Sequence, residues 1–262
     1  MKFSTIASSG LLLASSSVAT PLAKRVAARQ IRRGGRFTEA HINTGYESTN
    51  WAGAVLTSSG YTGVTTTFTV PNPQLPGGAD QSTQYCATAW VGIDGDNNCS
   101  NAIAQAGIDF CITGSDVEFD AWYEWLEAPS TDFDNFGISA GDVITVTIDV
   151  SSTTTGSAVI DNTSTGQSVS HTWDQQPYPL CEVNAEWIVE DFTITENGVS
   201  SLAPFANFGS VTFSGNSATQ NGQTVGIDGS DTIDLYNTIP NGVRYAQTTI
   251  DGENVIVTYT GP

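Results

Sequence analysis

Apolar and polar residues alternate along several segments of this chain with the two-residue period of a half-buried strand. Val64, Thr66, Phe68 and Val70 fall on one face of one segment, and Ile144, Val146, Ile148 and Val150 on one face of another. Val255, Val257 and Tyr259 repeat the pattern near the end. Turn-forming clusters punctuate these runs at Pro71-Asn72-Pro73, Pro76-Gly77-Gly78, Ser214-Gly215-Asn216 and Asn241-Gly242. No stretch sustains helical periodicity. Short strands, frequent turns and 26 glycines predict an all-β sandwich or barrel. Pro71 through Gln84 is the longest loop-like run and the segment most open to a surface nick. No linker or repeat divides the domain, and all-β folds of this size are routinely single.

The amino terminus changes the picture. Lys2, the apolar and small-residue run Ile6 to Val18, and Ser17-Val18-Ala19 predict a cleaved signal peptide over 1–19. The run is too short and serine-rich to span a bilayer, and nothing later resembles a membrane span. Lys24-Arg25 and Arg32-Arg33 are dibasic pairs, which behind a signal peptide predict a basic propeptide. That segment is taken as 20–49, ending somewhere between 33 and 50, and 50–262 as the main domain of a secreted, extracellular protein.

Charge splits the chain at the same place. Lys2, Lys24, Arg25, Arg29, Arg32, Arg33 and Arg36 are seven of the eight cations, and only Arg244 lies beyond. From Phe37 onward 27 carboxylates face one cation, a formal −26. Such a density of like charge weakens the compact state at neutral pH, so the domain suits an acidic medium. Nucleic-acid phosphates require Lys and Arg that it lacks, and anionic membranes repel it.

Four cysteines (Cys86, Cys99, Cys111, Cys181) in a secreted chain predict two disulfides, with three connectivities open. Their spacings of 13, 12 and 70 contain no close pair of the kind that holds zinc. Two glycosylation sequons occur. Asn98 sits beside a cysteine, and Asn162, in a polar turn, is the better acceptor.

The common hydrolase motifs are missing. Only His41 and His171 are present, and Gly-x-Ser-x-Gly, His-Glu-x-x-His and the Asp-Thr-Gly or Asp-Ser-Gly loops are absent. A Ser-His-Asp triad has only His171 to use, without supporting context. Carboxylate chemistry remains.

Three segments concentrate acid, amide and tryptophan. The first joins Trp90-Val91-Gly92-Ile93-Asp94-Gly95 to Gln105-Ala106-Gly107-Ile108-Asp109; the second is Asp120-Ala121-Trp122-Tyr123-Glu124-Trp125. The third is Ala185-Glu186-Trp187-Ile188-Val189-Glu190-Asp191-Phe192. As strands, they place Asp120, Trp122 and Glu124 on one face, and likewise Gln105, Gly107 and Asp109. Glu186, Ile188, Glu190 and Phe192 share a face, with Trp187, Val189 and Asp191 on the other. Ordinarily tryptophans are core and acids face water. Glu190 departs from that rule, because its face also carries Ile188 and Phe192.

These motifs, with Asn50-Trp51-Ala52-Gly53-Ala54, resemble the fungal glutamic peptidases, the eqolisins, in order and spacing from about Asn50 to the end. The resemblance implies a single-domain β-sandwich of two large antiparallel sheets, of concanavalin-like or jelly-roll type. It also implies a monomeric acid endopeptidase that cleaves polypeptides without metal or cofactor. Gln105 and Glu190 then match the catalytic pair, and Trp90, Asp94, Asp109, Asp120, Trp122 and Glu124 match positions lining the cleft. Cys99–Cys181 and Cys86–Cys111 match as disulfides. The basic propeptide, opposite in charge to the domain, is expected to act as its inhibitor.

Two other readings use the same residues. A β-sandwich glycoside hydrolase would pair Glu124 with Glu190 across a sugar, with tryptophans stacking on it. A lectin-like acidic module would do no chemistry.

Overall fold

A computed structural model describes residues 45–262 except 97, 98, 127, 197, 198 and 240. The expected signal peptide, nearly all of the expected propeptide and the sequon at Asn98 lie outside the described residues. Among the described residues the elements are strands, β1 to β18, with no α-helix.

Two layers pack face to face. In the first, β10 (Gln167–Trp173), β9 (Thr155–Asn162), β8 (Val143–Ser152) and β3 (Tyr61–Thr69) lie side by side in that order. Here the alternation read from the sequence operates: Val64, Phe68, Ile144, Val146, Ile148 and Ile160 turn inward and are buried. The second layer runs from β18 (Asn254–Tyr259) through β17 (Arg244–Asp251), β16 (Asp231–Tyr236) and β2 (Trp51–Thr57) to β11 (Asn184–Glu190). It continues through β4 (Gln84–Asp94), β5 (Ile103–Thr113) and β6 (Asp116–Trp125) to the short β7 (Thr131–Asp132). Neighbours pair antiparallel, except that β1 (Gly45–Ser48) lies parallel to β16. The folded unit thus includes Gly45 to Thr49, ahead of the expected domain start at Asn50.

The main core fills the space between the layers. From the second layer come Ala52, Ala54, Ala89, Val91, Ala104, Ala106, Trp187 and Val189. The many alanines let the layers approach closely, and the Trp187 indole N–H crosses the gap to donate to Thr65 O at 3.0 Å. Strands β4, β5 and β11 are buried on both faces along most of their length. Burial on both sides removes the polar-apolar alternation that marked the first layer.

The layers are one continuous hydrogen-bonded path because β14 (Ser210–Gln220) belongs to both. Ser210 to Phe213 pair with β18, and Ser214 to Gln220 pair with β3. The sequence pattern predicts a turn between strands at Ser214-Gly215-Asn216; the structure has a bulge inside one strand. Gly215 takes φ 59° there, and the register shifts between Ser214 and Ser217. Buried Asn216 satisfies the groups that the bulge frees. Its Oδ1 accepts from the Thr66 hydroxyl at 2.6 Å, and its Nδ2 donates to Phe213 O and Glu253 O at 2.9 Å each. A bulge of this kind is how a strand changes sheets.

The run after β3 is a loop, as its prolines predict. It is pinned by a bridge between Gln74 and Asn207 and by Gly77 N–H donating to Pro262 O at 2.9 Å. Both disulfides lie in the second layer's surroundings. Cys86–Cys111 joins directly opposed residues of β4 and β5. Cys99–Cys181 ties the turn after β4 to the segment that leads into β11. These are the pairs that the resemblance implied.

The expectation for Asn162 requires correction. Its side chain is fully buried at the end of β9, where Nδ2 donates to Gly137 O at 3.1 Å and Asp142 Oδ2 at 2.8 Å. Its Oδ1 accepts from the backbone N–H groups of Ser164 and Thr165. An amide so engaged builds the turn and leaves no room for a glycan.

Replacing Asn216 by Ala takes the side-chain donor from the buried Phe213 carbonyl and the part-buried Glu253 carbonyl, and leaves the buried Thr66 hydroxyl only the long 3.4 Å bond to Ser214 O. Unpaired buried groups cost about 1–3 kcal/mol each, partly relieved by water, so the variant should lose about 2–4 kcal/mol. Urea denaturation at acid pH, where the protein is best held, measures the loss.

Candidate active site

The second layer's outer face carries three rows of side chains, fixed by strand register. Asp231, Val55, Glu186, Gly92, Gln105 and Glu124 form one row across β16, β2, β11, β4, β5 and β6. Ile233, Gly53, Ile188, Trp90, Gly107 and Trp122 form the next. Trp51, Glu190, Thr88, Asp109 and Asp120 form the third. An apolar cluster of Trp51, Val55, Trp90, Trp122, Ile188 and Ile233 separates and surrounds the polar members. The tryptophans therefore divide by face. Trp125 and Trp187 belong to the main core, whereas Trp51, Trp90 and Trp122 share the face with the acids.

Trp90 sits between the two candidate catalytic groups. Its indole N–H donates to Glu190 Oε2 at 2.9 Å. Its six-membered ring reaches over Gly92, the residue directly opposite Gln105, where an added Cβ would lie 3.0 Å from Cζ3. At Gly107 a Cβ would lie 2.5 Å from the Trp90 Cβ and closer still to Ala89 O, so only glycine fits against β4 there. The Asn50 amide donates to the other oxygen of Glu190 at 3.4 Å. Asn50 is held in turn by buried Ser48, whose Oγ accepts from Asn50 N and donates to Asn50 Oδ1. Two donors from separate elements thus orient one carboxylate.

Gln105 Nε2 donates to Glu124 Oε2 in a very short contact, and its buried Oε1 has no hydrogen-bond partner among the described residues. Of an amide's two N–H groups, one is therefore committed and one remains. Exposure singles out the pair: Glu190 and Gln105 keep 7% and 5%, whereas Glu124 and Asp109 keep 1%. Asp120 is half-buried beside Asp109 on the neighbouring strand. Trp122 is fully buried and donates to Thr88 Oγ1 at 3.0 Å, an arrangement that supports the floor. Since Glu124 is bound to Gln105 and sealed, it makes a poor second catalytic acid for a sugar.

Asp94 does not line a cleft as expected. It is fully buried with φ 67°, and its two oxygens accept four backbone N–H groups, from Cys181, Glu182, Val183 and Asn184. It organises the chain leading into β11, which carries Glu190. The Cys99 and Cys181 sulfurs lie within reach, but they are bonded to each other and so are not free thiolates. His171 stacks on Tyr123 at 3.9 Å on the opposite side of β6, away from the acid-bearing face.

Three residues outside the expected site also matter: Asn50, Glu186 and Asp191. Asn50 was visible only as the residue before Trp51. Glu186 shares the face of Glu190 by simple two-residue spacing. Asp191 follows Glu190 directly at the end of β11, and its backbone N–H donates to Asn50 O at 2.8 Å.

Burial governs the titration of these acids. Glu186 is pushed well above the usual carboxylate range, first by complete burial and then by the charges of Asp94 and Asp96. Asp191 is pushed well above it by burial and then by Glu190. Asp94 is also raised, because burial outweighs its four N–H donors.

The fold and its outer face, where Glu124, Glu186, Glu190 and Gln105 lie among tryptophans, fit a class of protein: the glutamic peptidases. Residues 49–259 match the Peptidase A4 family, and the chain belongs to that family. It is 42% identical to Aspergillopepsin-2 of Aspergillus niger, across 99% of this chain and 100% of that protein. It is 36% identical to Scytalidopepsin B of Scytalidium lignicola, again across 99% and 100%. Among solved structures it resembles scytalido-glutamic peptidase with a transition state analog inhibitor (TM-score 0.71, 36% identity, 81% of this chain and 98% of that one). It also resembles aspergilloglutamic peptidase from Aspergillus niger (TM-score 0.61, 47% identity, 67% and 99%). The chain is a glutamic endopeptidase, a hydrolase of polypeptides that works in acid.

The raised acids bind protons more tightly in the native state than in the unfolded chain. Their stabilisation is complete below about pH 4 and is lost as pH rises toward their folded values. The melting temperature should therefore fall from pH 4 to pH 7. Asp191→Asn, which cannot ionise, should melt higher than the native protein at pH 7 and close to it at pH 3. Calorimetric scans across that range check the sign.

Proposed function

We propose that Glu190 and Gln105 are the catalytic pair of this acid endopeptidase. Ionised Glu190 takes a proton from a water, whose oxygen attacks the scissile carbonyl carbon. The proton then passes from Glu190 to the departing amine as the carbon–nitrogen bond breaks. The uncommitted N–H of Gln105 donates to the developing oxyanion, and its unpartnered Oε1 accepts from the attacking water. An amide does this at any pH, which an ionisable donor does not. The observation that carries the reading is the paired restraint. Trp90 and Asn50 hold one carboxylate, Glu124 holds one amide, and both held groups retain a path to solvent.

The half-buried Asp120 belongs to the substrate-facing rim, and Trp90, Trp122, Asp109 and Glu124 form the floor that positions the pair. The protein acts outside the cell as a monomer. The propeptide begins at residue 20 and ends ahead of β1, whose Ser48 holds Asn50. From 20 to 36 it carries six cations, Lys24, Arg25, Arg29, Arg32, Arg33 and Arg36, and no acid, and it complements the formal −26 of residues 37–262. At neutral pH this attraction makes the segment an inhibitor; acid protonates the carboxylates and releases it. No helix of the described residues is long and apolar enough to cross a membrane.

Gln105→Ala should lower turnover about 100–1,000-fold, the usual cost of one oxyanion donor. Glu190→Gln should abolish cleavage, with both variants secreted and folded. Digestion of acid-denatured haemoglobin near pH 3 is the assay, and native turnover by Glu190→Gln would sink the assignment. Neutralising Arg29, Arg32, Arg33 and Arg36 together should weaken inhibition by the isolated propeptide at pH 6; unchanged inhibition removes the electrostatic clamp.

A further inference from the structure

A third glutamate shares the face of the catalytic pair, and the mechanism above leaves it idle. Glu186 lies four residues before Glu190 on β11, in the row that continues through Gly92 to Gln105 and Glu124. It is fully buried, and neither carboxylate oxygen has a hydrogen-bond partner among the described residues. Gly92, the one residue separating it from Gln105 in that row, has no side chain. A Cβ built there would lie 3.2 Å from Glu186 Oε1, so the carboxyl leans over the glycine toward β5.

We infer that Glu186 is a positioning residue that must stay protonated for Gln105 to serve the oxyanion, and that its ionisation sets the alkaline limit of turnover. The inference rests on Gln105 being the oxyanion donor. With Glu186 neutral, its carboxyl on the Gly92 side is only a weak acceptor for the free N–H of Gln105. Once ionised, an unpaired carboxylate there attracts that N–H and places negative charge beside the forming oxyanion. Both effects lower turnover rather than substrate binding.

Among the described residues, the surroundings supply no cation to quiet such a charge. Facing Glu186 are Val55 on β2, with Asp231 beyond it on β16, and Gly92 and Asp94 on β4. Asp96 follows in the turn, Gln105 and Glu124 lie beyond Gly92, and Glu190 lies on its own strand. Arg244, the cation among the described residues, pairs with Asp234 at 3.1 Å. Burial and the neighbouring acids hold the proton on Glu186 well past the usual carboxylate range, so the acid range keeps the residue neutral.

The test is the pH profile of kcat for Glu186→Gln and Glu186→Met, with circular dichroism on each sample to exclude unfolding. One unit above the native alkaline midpoint, both variants should keep a kcat about tenfold higher than the native enzyme, with KM unchanged. A folded variant with the native midpoint overturns the inference. If Glu190→Gln is inert while both Glu186 variants keep the native profile, only the role of Glu186 falls; an active Glu190→Gln removes the catalytic reading itself. Should neither Glu186 variant fold, infrared titration of the native protein decides. The proposal requires a carboxyl that loses its proton at the alkaline midpoint of kcat, and the absence of one overturns it.

Discussion

Everything in this fold turns on a sheet that is covered on both sides and yet must carry carboxyl groups on one of them. A buried carboxylate without partners is costly, so each acid on the outer face is either given donors or kept neutral. Asp94 takes four backbone N–H groups, and Glu190 takes an indole and an amide. Glu186 takes none and keeps its proton. Acid conditions are thus a structural requirement before they are a catalytic one. The general base proposed for this enzyme is itself a carboxyl, a group suited to the same medium.

Local sequence choices follow from this constraint. Gly92 and Gly107 clear space for Trp90, whose indole in turn holds Glu190. Alanines on the inner face of β2, β4 and β5 let the layers close, and the bulge at Gly215 lets β14 serve both. The proposed catalytic groups, carried on central strands and restrained by neighbours, need little reorganisation when charge develops in the reaction.

The sequence made part of this legible and hid the rest for physical reasons. β3, β8 and β18 could be read from period-two alternation, because each has one wet or polar side. β4, β5 and β11 have none, and their character showed only through motifs that pair tryptophan with acid. Face-sharing among Gln105, Gly107 and Asp109, and among Glu186, Ile188 and Glu190, followed from strand geometry alone. What stayed hidden needed cross-strand register or a change of backbone direction. Asp94 reads as a cleft acid until the N–H groups of residues 181–184 are found on it. Asn162 reads as a glycan acceptor until its amide is seen closing a turn. Ser214-Gly215-Asn216 carries turn residues because a bulge, like a turn, calls for φ > 0.

The positions of the two disulfides carry a last consequence. Both have all their cysteines after the loop that follows β3, so no covalent bond other than the peptide chain joins β1, β2 and β3 to the remainder. Yet β2 lies between β16 and β11, and β3 between β8 and β14, each flanked by a strand on both sides. A chain severed in that loop is a heterodimer in all but origin, its smaller partner wedged between strands of both layers. Hydrogen-bond ladders and shared core alone hold the pieces, and a denaturant separates them without any reductant.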